Sequence, residues 1–326
     1  MTAVNKRPSR LKTYSHLSRE RRMPSEYELV TTNLLYYVGR GFEVPTPIQD
    51  WYTKHQMGSP LTLDDWERFV DPRETTYAKY IDLLQGREAY VDGILQSIED
   101  AGYDRGLAPE WRAKLDAVLG PLRFPLHGFQ MIAAYVGQMA PSGRITVAAA
   151  FQAADELRRI QRVAYRMAQL RLVDADFGAA SRQAWQERPA WQPLRETIER
   201  CLTTYDWGEA LVALNLCIKP AVDELFMVHW PRVAKRHDDF LLGQIFASLD
   251  EDCKWHRDWT MALLETAIRD DERNRAVIEG WARKWAALAL RSTAALEEIA
   301  GDGTAHSISA SLAQLFGRIG MEVGQT

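Results

Sequence analysis

Cysteine is scarce in this chain: 326 residues hold only Cys201, Cys217 and Cys253, with no C-x-x-C pair. That excludes a disulfide framework and the common cysteine-built zinc sites, and it points to a reducing compartment. Long apolar runs are missing as well. Stretches such as VAAAF and WAALAL cannot cross a bilayer, and the basic segment MTAVNKRPSRLKTYSHLSRERR lacks the apolar core of a signal peptide. The expectation is a cytoplasmic protein without a membrane. Nor is there a surplus of positive charge. Forty Lys and Arg stand against 44 Asp and Glu, for a net charge of −4 and a pI near 6.0, so no bulk attraction for phosphate backbones exists and nucleic acid is not an expected partner. The glycine-rich and nucleophile-elbow motifs G-x-S-x-G, Walker A and G-x-G-x-x-G are all absent.

What is present is apolar residues at 46% and charged residues at 26%, enough for a full globular core. The first sixty residues carry Pro8, Pro24, Pro45, Pro47 and Pro60 without a sustained period. They read as an extended arm over 1–60. Its aromatics need burial, and Tyr36, Tyr37, Phe42 and Trp51 are the expected contacts to partner chains. Residues 61–326 read as one helical domain, with apolar residues recurring at three and four from Trp66 onward. The spacing predicts helices near 62–100, 109–119, 121–140, 145–172, 191–203, 207–229, 231–247, 248–269 and 274–299. Two helical hairpins, 121–140 with 145–172 and 207–229 with 231–269, form a loose repeat and predict a four-helix bundle.

Asp155-Glu156-Leu157-Arg158-Arg159 is one residue away from D-E-x-R-H, the ligand signature of carboxylate-bridged di-iron bundles. Glu and His three residues apart share a helix face and can hold one ion, but Arg159 cannot bind iron. A di-iron bundle needs two E-x-x-H motifs. The residues three before His16, His55, His127, His229, His237, His256 and His306 are Thr13, Tyr52, Phe124, Phe226, Ala234, Cys253 and Gly303, none a carboxylate. The plain alternative is an ion-pair ladder with Asp155 reaching Arg158 or Arg159. A second acidic run, Asp270-Asp271-Glu272-Arg273-Asn274, reads as a solvated helix junction.

The succession RLKTYSHL, MPSEYELV, PLHGFQMIAAYVGQMAP, AADELRRIQRVAYRMAQL, YDWGEALVALNLCIKP and AVIEGWARKW resembles the β subunit of the hydroxylase of bacterial multicomponent monooxygenases. The group is that of toluene, aromatic and alkene monooxygenases, related to phenol hydroxylase and soluble methane monooxygenase. The resemblance runs from about Arg10 to Arg291 and implies an all-α, ferritin-like (ribonucleotide-reductase-like) bundle. It implies that a paralogous α subunit carries the di-iron centre, while this chain holds no cofactor, no metal and no catalytic residue. Placing the α pattern here puts degenerate ligand positions at Ala134, Glu156, Arg159, Lys219, Cys253 and His256, of which only Glu156 and His256 keep an iron-binding residue type. The implied assembly is an (αβγ)2 heterohexamer that oxygenates aromatic or alkene hydrocarbons with O2. Its electrons come from NADH through a reductase and ferredoxin, with a small effector protein.

The competing reading from the residues is a free-standing helical metal-dependent oxidase or oxygenase with ligands drawn from Glu156, Asp252, His256 and Glu224. An unrelated helical scaffold is the third. Arg159 and Lys219 either pair inside the bundle with Glu156 and neighbouring acids such as Asp155, or reach out to solvent.

Overall fold

The structure is a computed structural model that describes residues 17, 22–35, 41, 44–99, 102–301 and 303–321. Tyr36, Tyr37 and Phe42 lie outside the described residues. Among the described residues every regular element is helical, and no described helix is long and apolar enough to cross a membrane.

Eight helices carry the architecture: α1 Tyr77–Glu99, α2 Pro109–Met139, α3 Gly143–Arg171, α4 Gln192–Leu202, α5 spanning 207–236, α6 Phe240–Asp270, α7 Arg273–Ala300 and α8 Ala305–Arg318. Ala140 ends α2, and Ser142, whose hydroxyl accepts from the Arg144 N–H, starts α3. That three-residue turn folds α2 back against α3. Asp206 caps α5 by accepting from the Glu209 N–H, and Asp239 caps α6 by accepting from the Leu242 N–H. The two hairpins, α2 with α3 and α5 with α6, make the expected four-helix bundle, on which α1, α4, α7 and α8 pack.

The structure differs from the sequence reading in several places. Pro121 and Pro125 do not divide 109–119 from 121–140; α2 runs through both. Each proline forfeits a backbone hydrogen bond, but Leu119, Leu122, Leu126 and Phe129 are fully buried on this helix, and a break would expose them. Residues 231–269 are divided at 237–239 and not at 247, because Asp238 takes a left-handed φ of 58° just before the Asp239 cap. Helix α1 starts at Tyr77, not near residue 62. The buried Asp71 carboxylate accepts from the Arg73 and Thr75 N–H groups and from Trp255 Nε1, fixing a turn there instead. Helix α8 was not expected, although Ile308, Leu312, Leu315 and Phe316 bury one of its faces.

The described part of residues 1–60 is not wholly extended. Glu26–Thr31 and Pro47–Tyr52 are short helices, the latter running into a π-helical turn at Thr53–Met57. Tyr27 is buried, with its hydroxyl accepting from the Asp71 N–H, and Arg144 on α3 reaches Thr32 Oγ1 at 2.9 Å. These contacts bind the segment to the chain's own body.

Helix α5 is irregular. Val212–Ile218 and Glu224–His229 are π-helical and flank the α-helical turn Lys219–Asp223. Such wide turns shift the register of the side chains beyond them. Here they bracket the two α5 residues that enter the bundle centre.

Candidate functional site: a buried charge cluster

Helices α3, α5 and α6 converge on a set of ionisable side chains with almost no solvent exposure. Glu156 and Arg159 come from α3, Lys219 and Asp223 from α5, and Cys253 and His256 from α6, and all six are buried. Each pair is spaced by three or four residues, which puts both members on one helix face.

Arg159 is the hub. Its guanidinium donates to Glu156 Oε2 at 2.7 Å and to Asp223 Oδ1 at 2.8 Å, bridging α3 and α5. Lys219 Nζ donates to Asp223 Oδ2 at 2.6 Å and to Cys253 Sγ at 3.2 Å, and stands 3.3 Å from Glu156 Oε1. Two carboxylates thus face two cations, and neither cation reaches out to solvent. At the margin Arg257 approaches Asp223 at 3.7 Å.

The electrostatics follow from this arrangement. Burial would raise the Asp223 pKa, but Lys219 and Arg159 outweigh it and hold the carboxyl down at about 2. Burial pushes the Cys253 thiol up to about 12, although Arg159 and Lys219 oppose it. A protonated thiol fits the geometry, since Sγ donates to the Leu249 carbonyl at 3.4 Å while accepting from Lys219. Burial, reinforced by the nearby cations Lys219 and Arg159, holds His256 well below its ordinary pKa, so its imidazole is neutral.

Asp155 does not bond Arg159 and meets this cluster only at His256. It accepts from Tyr80 Oη at 2.9 Å and lies 2.9 Å from His256 Nε2. Burial raises its pKa to about 7, with the Tyr80 hydrogen bond acting the other way. Next to this pair, Gln152 and Asn215 exchange side-chain hydrogen bonds of 2.7 and 3.0 Å, and Trp259 Nε1 donates to Gln152. Arg158 turns to the other side, to Asp252 at 2.6 Å and Glu88 at 2.5 Å, and Arg87 also pairs with Asp252.

Of the degenerate ligand positions, five meet in this cluster and Ala134 does not. Ala134 lies on the exposed side of α2. The turn at 140–142 sets the register, because Gly137 faces Ala149. Moving seven residues along α3 from Ala149 to Glu156 therefore means moving about as far back along α2, to the neighbourhood of the buried Phe129. The rival ligand set is not assembled either: Asp252 is engaged by Arg158 and Arg87, and Glu224 accepts from Ser307 on α8. Among the described residues no group of three or more His, Cys, Asp or Glu side chains is placed to hold a metal ion. Asp223 was missed from the sequence, although Lys219 four residues before it carried the signal of a helical ion pair.

Residues 51–271 match the model of the methane/phenol/alkene hydroxylase family. The chain is 36% identical over 302 residues to the hydroxylase component subunit beta of the toluene-4-monooxygenase system of Ectopseudomonas mendocina, covering 90% of this chain and 91% of that one. It is 26% identical over 290 residues to the phenol 2-monooxygenase oxygenase component DmpL of Pseudomonas sp. (strain CF600), covering 83% and 84%. A solved structure of toluene 4-monooxygenase with toluene in its resting active site superposes with a TM-score of 0.85 at 36% identity, over 90% of this chain and 98% of that one. Phenol hydroxylase from Pseudomonas sp. OX1 shares the fold at 18% identity and a TM-score of 0.84, over 91% of each chain.

Proposed function

The chain belongs to the methane/phenol/alkene hydroxylase family, and from that membership we propose that it serves as the non-catalytic β-type subunit of a hydrocarbon-oxygenating hydroxylase. The observation that carries this reading is the occupant of the bundle centre. The family implies a di-iron centre, and the residues here do not fit one. Arg159 and Lys219 are donors and cations where ligands would have to be acceptors, and thiol Cys253 stays protonated beside them. No oxygen chemistry is assigned to these side chains.

In this reading the di-iron centre resides in a larger α subunit, and this chain contributes structure to an (αβγ)2 assembly. Substrates are aromatic or alkene hydrocarbons, oxidised with O2 and electrons delivered from NADH by a reductase and ferredoxin. The exposed apolar residues Val44, Ile48, Trp51 and Tyr205 lie in or beside the N-terminal segment and supply a surface of the kind that subunit contacts cover.

The test is coexpression with the partner chain that carries two complete D-E-x-R-H motifs, followed by oxygenation assays on toluene and phenol. The assembly is expected to turn over and this chain alone to show none. Turnover by the chain alone would overturn the proposal.

A further inference from the structure

A surface helix of a soluble protein turns its charged residues outward. Helix α3 reverses this. Between Thr146 and Gln169 all its charged residues, Asp155, Glu156, Arg158, Arg159, Arg162 and Arg166, are buried, and every residue that is not buried is uncharged. The inward charges are satisfied within the chain: Arg158 and Arg162 pair with Glu88 on α1, and Arg166 pairs with Asp104. Leu157 and Tyr165 point outward instead, 50% and 45% exposed. Helix α2, the other arm of the hairpin, behaves the same way. From His127 to Gln138 it holds no Asp, Glu, Lys or Arg, and its Met131 and Ala134 are exposed. Gly137 against Ala149 sets the two helices side by side, so their outer faces adjoin.

We propose, on the reading of this chain as a β-type subunit, that the outer face of the α2–α3 hairpin is the docking surface for the larger hydroxylase subunit, which meets it with a helical face equally free of charge. Charge decides the kind of partner. The centre of a stable interface is depleted of charged residues, and a partner Lys or Glu pressed onto this strip would find no counter-charge and be stranded out of water. Size agrees with that. The uncharged strip runs for about 36 Å along α3 and about 18 Å along α2, each about 10 Å wide, or about 540 Å². Trp51, bonded to α2 through Tyr135 Oη, and the exposed Ile48 beside it continue the apolar surface at the turn end of the hairpin. Together they approach the roughly 800 Å² that each partner buries in a standard stable complex.

The test compares the full chain alone with the chain coexpressed with the partner that carries two complete D-E-x-R-H motifs. Hydroxyl-radical footprinting, read by mass spectrometry, is expected to show Met131, Leu157 and Tyr165 modified several-fold less in the complex. Leu157→Glu should keep the wild-type unfolding midpoint and bind the partner on the order of 100-fold more weakly, while Leu157→Met binds as wild type does. Unchanged modification of all three residues in the complex, or full-strength binding by Leu157→Glu, would overturn the docking surface while leaving a β-type subunit that binds and supports turnover. Protection of the same residues in a dimer of the chain alone would assign the face to a second copy and overturn the proposal as well. A complex that protects the face but oxygenates neither toluene nor phenol would uphold the docking surface and sink the functional reading. Failure of the wild type to bind the partner would overturn both.

Discussion

Arg159 bonds Glu156, three residues earlier on the same helix, at 2.7 Å with neither side chain exposed to solvent. The pair would be unremarkable on a helix surface. In the core its consequence is different, because removing one partner strands a desolvated charge, at a cost of roughly 3–5 kcal/mol. Arg159→Ala, Glu156→Gln and Asp223→Asn should each lower the denaturant midpoint of the chain by an amount in that range. Equilibrium unfolding of the assembled protein checks this, and a change near zero in all three would mean that the cluster is not a charge-paired core.

The surface supplies the control. Lys254 pairs with Glu251 three residues before it, and both are about half exposed. Exposed pairs are screened and stabilise by at most about 1 kcal/mol. Lys254→Ala should leave the unfolding midpoint nearly unchanged, measured beside Arg159→Ala in the same buffer.

Helix α8 is held at its start by a side chain from another helix. Glu297 Oε1 on α7 accepts from Thr304 N at 2.9 Å, from Thr304 Oγ1 at 2.7 Å and from Ala305 N at 2.7 Å. The Thr304 hydrogen bond is the main reason that the Glu297 pKa is lowered from its ordinary 4.5. A carboxylate depressed in the folded state stabilises above its unfolded pKa, and that contribution is lost as pH falls through the folded one. Hydrogen-exchange protection at 305–308, taken relative to the intrinsic rate at each pH, should therefore fall below about pH 4.5, and Glu297→Gln should show the lower protection already at neutral pH. Equal protection in the variant and wild type at pH 7 would remove this cap from the account.

Trp51 has a double position. Its indole donates to Tyr135 Oη at 3.2 Å and its ring meets Tyr205 edge-on at 4.7 Å, yet it remains 37% exposed. The aromatic contact stabilises the fold by about 0.5–1.5 kcal/mol. If the exposed side docks on a partner subunit, Trp51→Ala should also weaken assembly by more than that, at the level of about 2 kcal/mol seen for buried interface anchors. Sedimentation of the variant with its partners separates the two roles, and an unchanged association constant would confine Trp51 to this chain's own fold.

Much of this was legible because helix periodicity is a local signal. The apolar spacing of AADELRRIQRVAYRMAQL places Asp155, Glu156 and Arg159 on a helix and sets the spacing of three that makes Arg159 stand where a histidine would. What was not legible depended on three dimensions. Whether α2 survives Pro121 and Pro125 is decided by burial of Leu122 and Leu126 against other helices. That Ala134 stands apart from Glu156 follows from hairpin register, which the turn at 140–142 fixes. Asp155 was expected beside the arginines, but its partners Tyr80 and His256 lie 75 and 101 residues away in sequence, and no local pattern names them.

Cationic side chains, Arg159 and Lys219, hold the bundle centre of this chain. The most direct measurement is the iron content of the wild-type chain itself, resolved from its partner subunits in the active assembly by native mass spectrometry. An apo mass is expected for this chain while the assembly retains iron and turnover; a wild-type chain carrying one or two iron ions, lost together on Glu156→Gln, would mean that metal holds the centre.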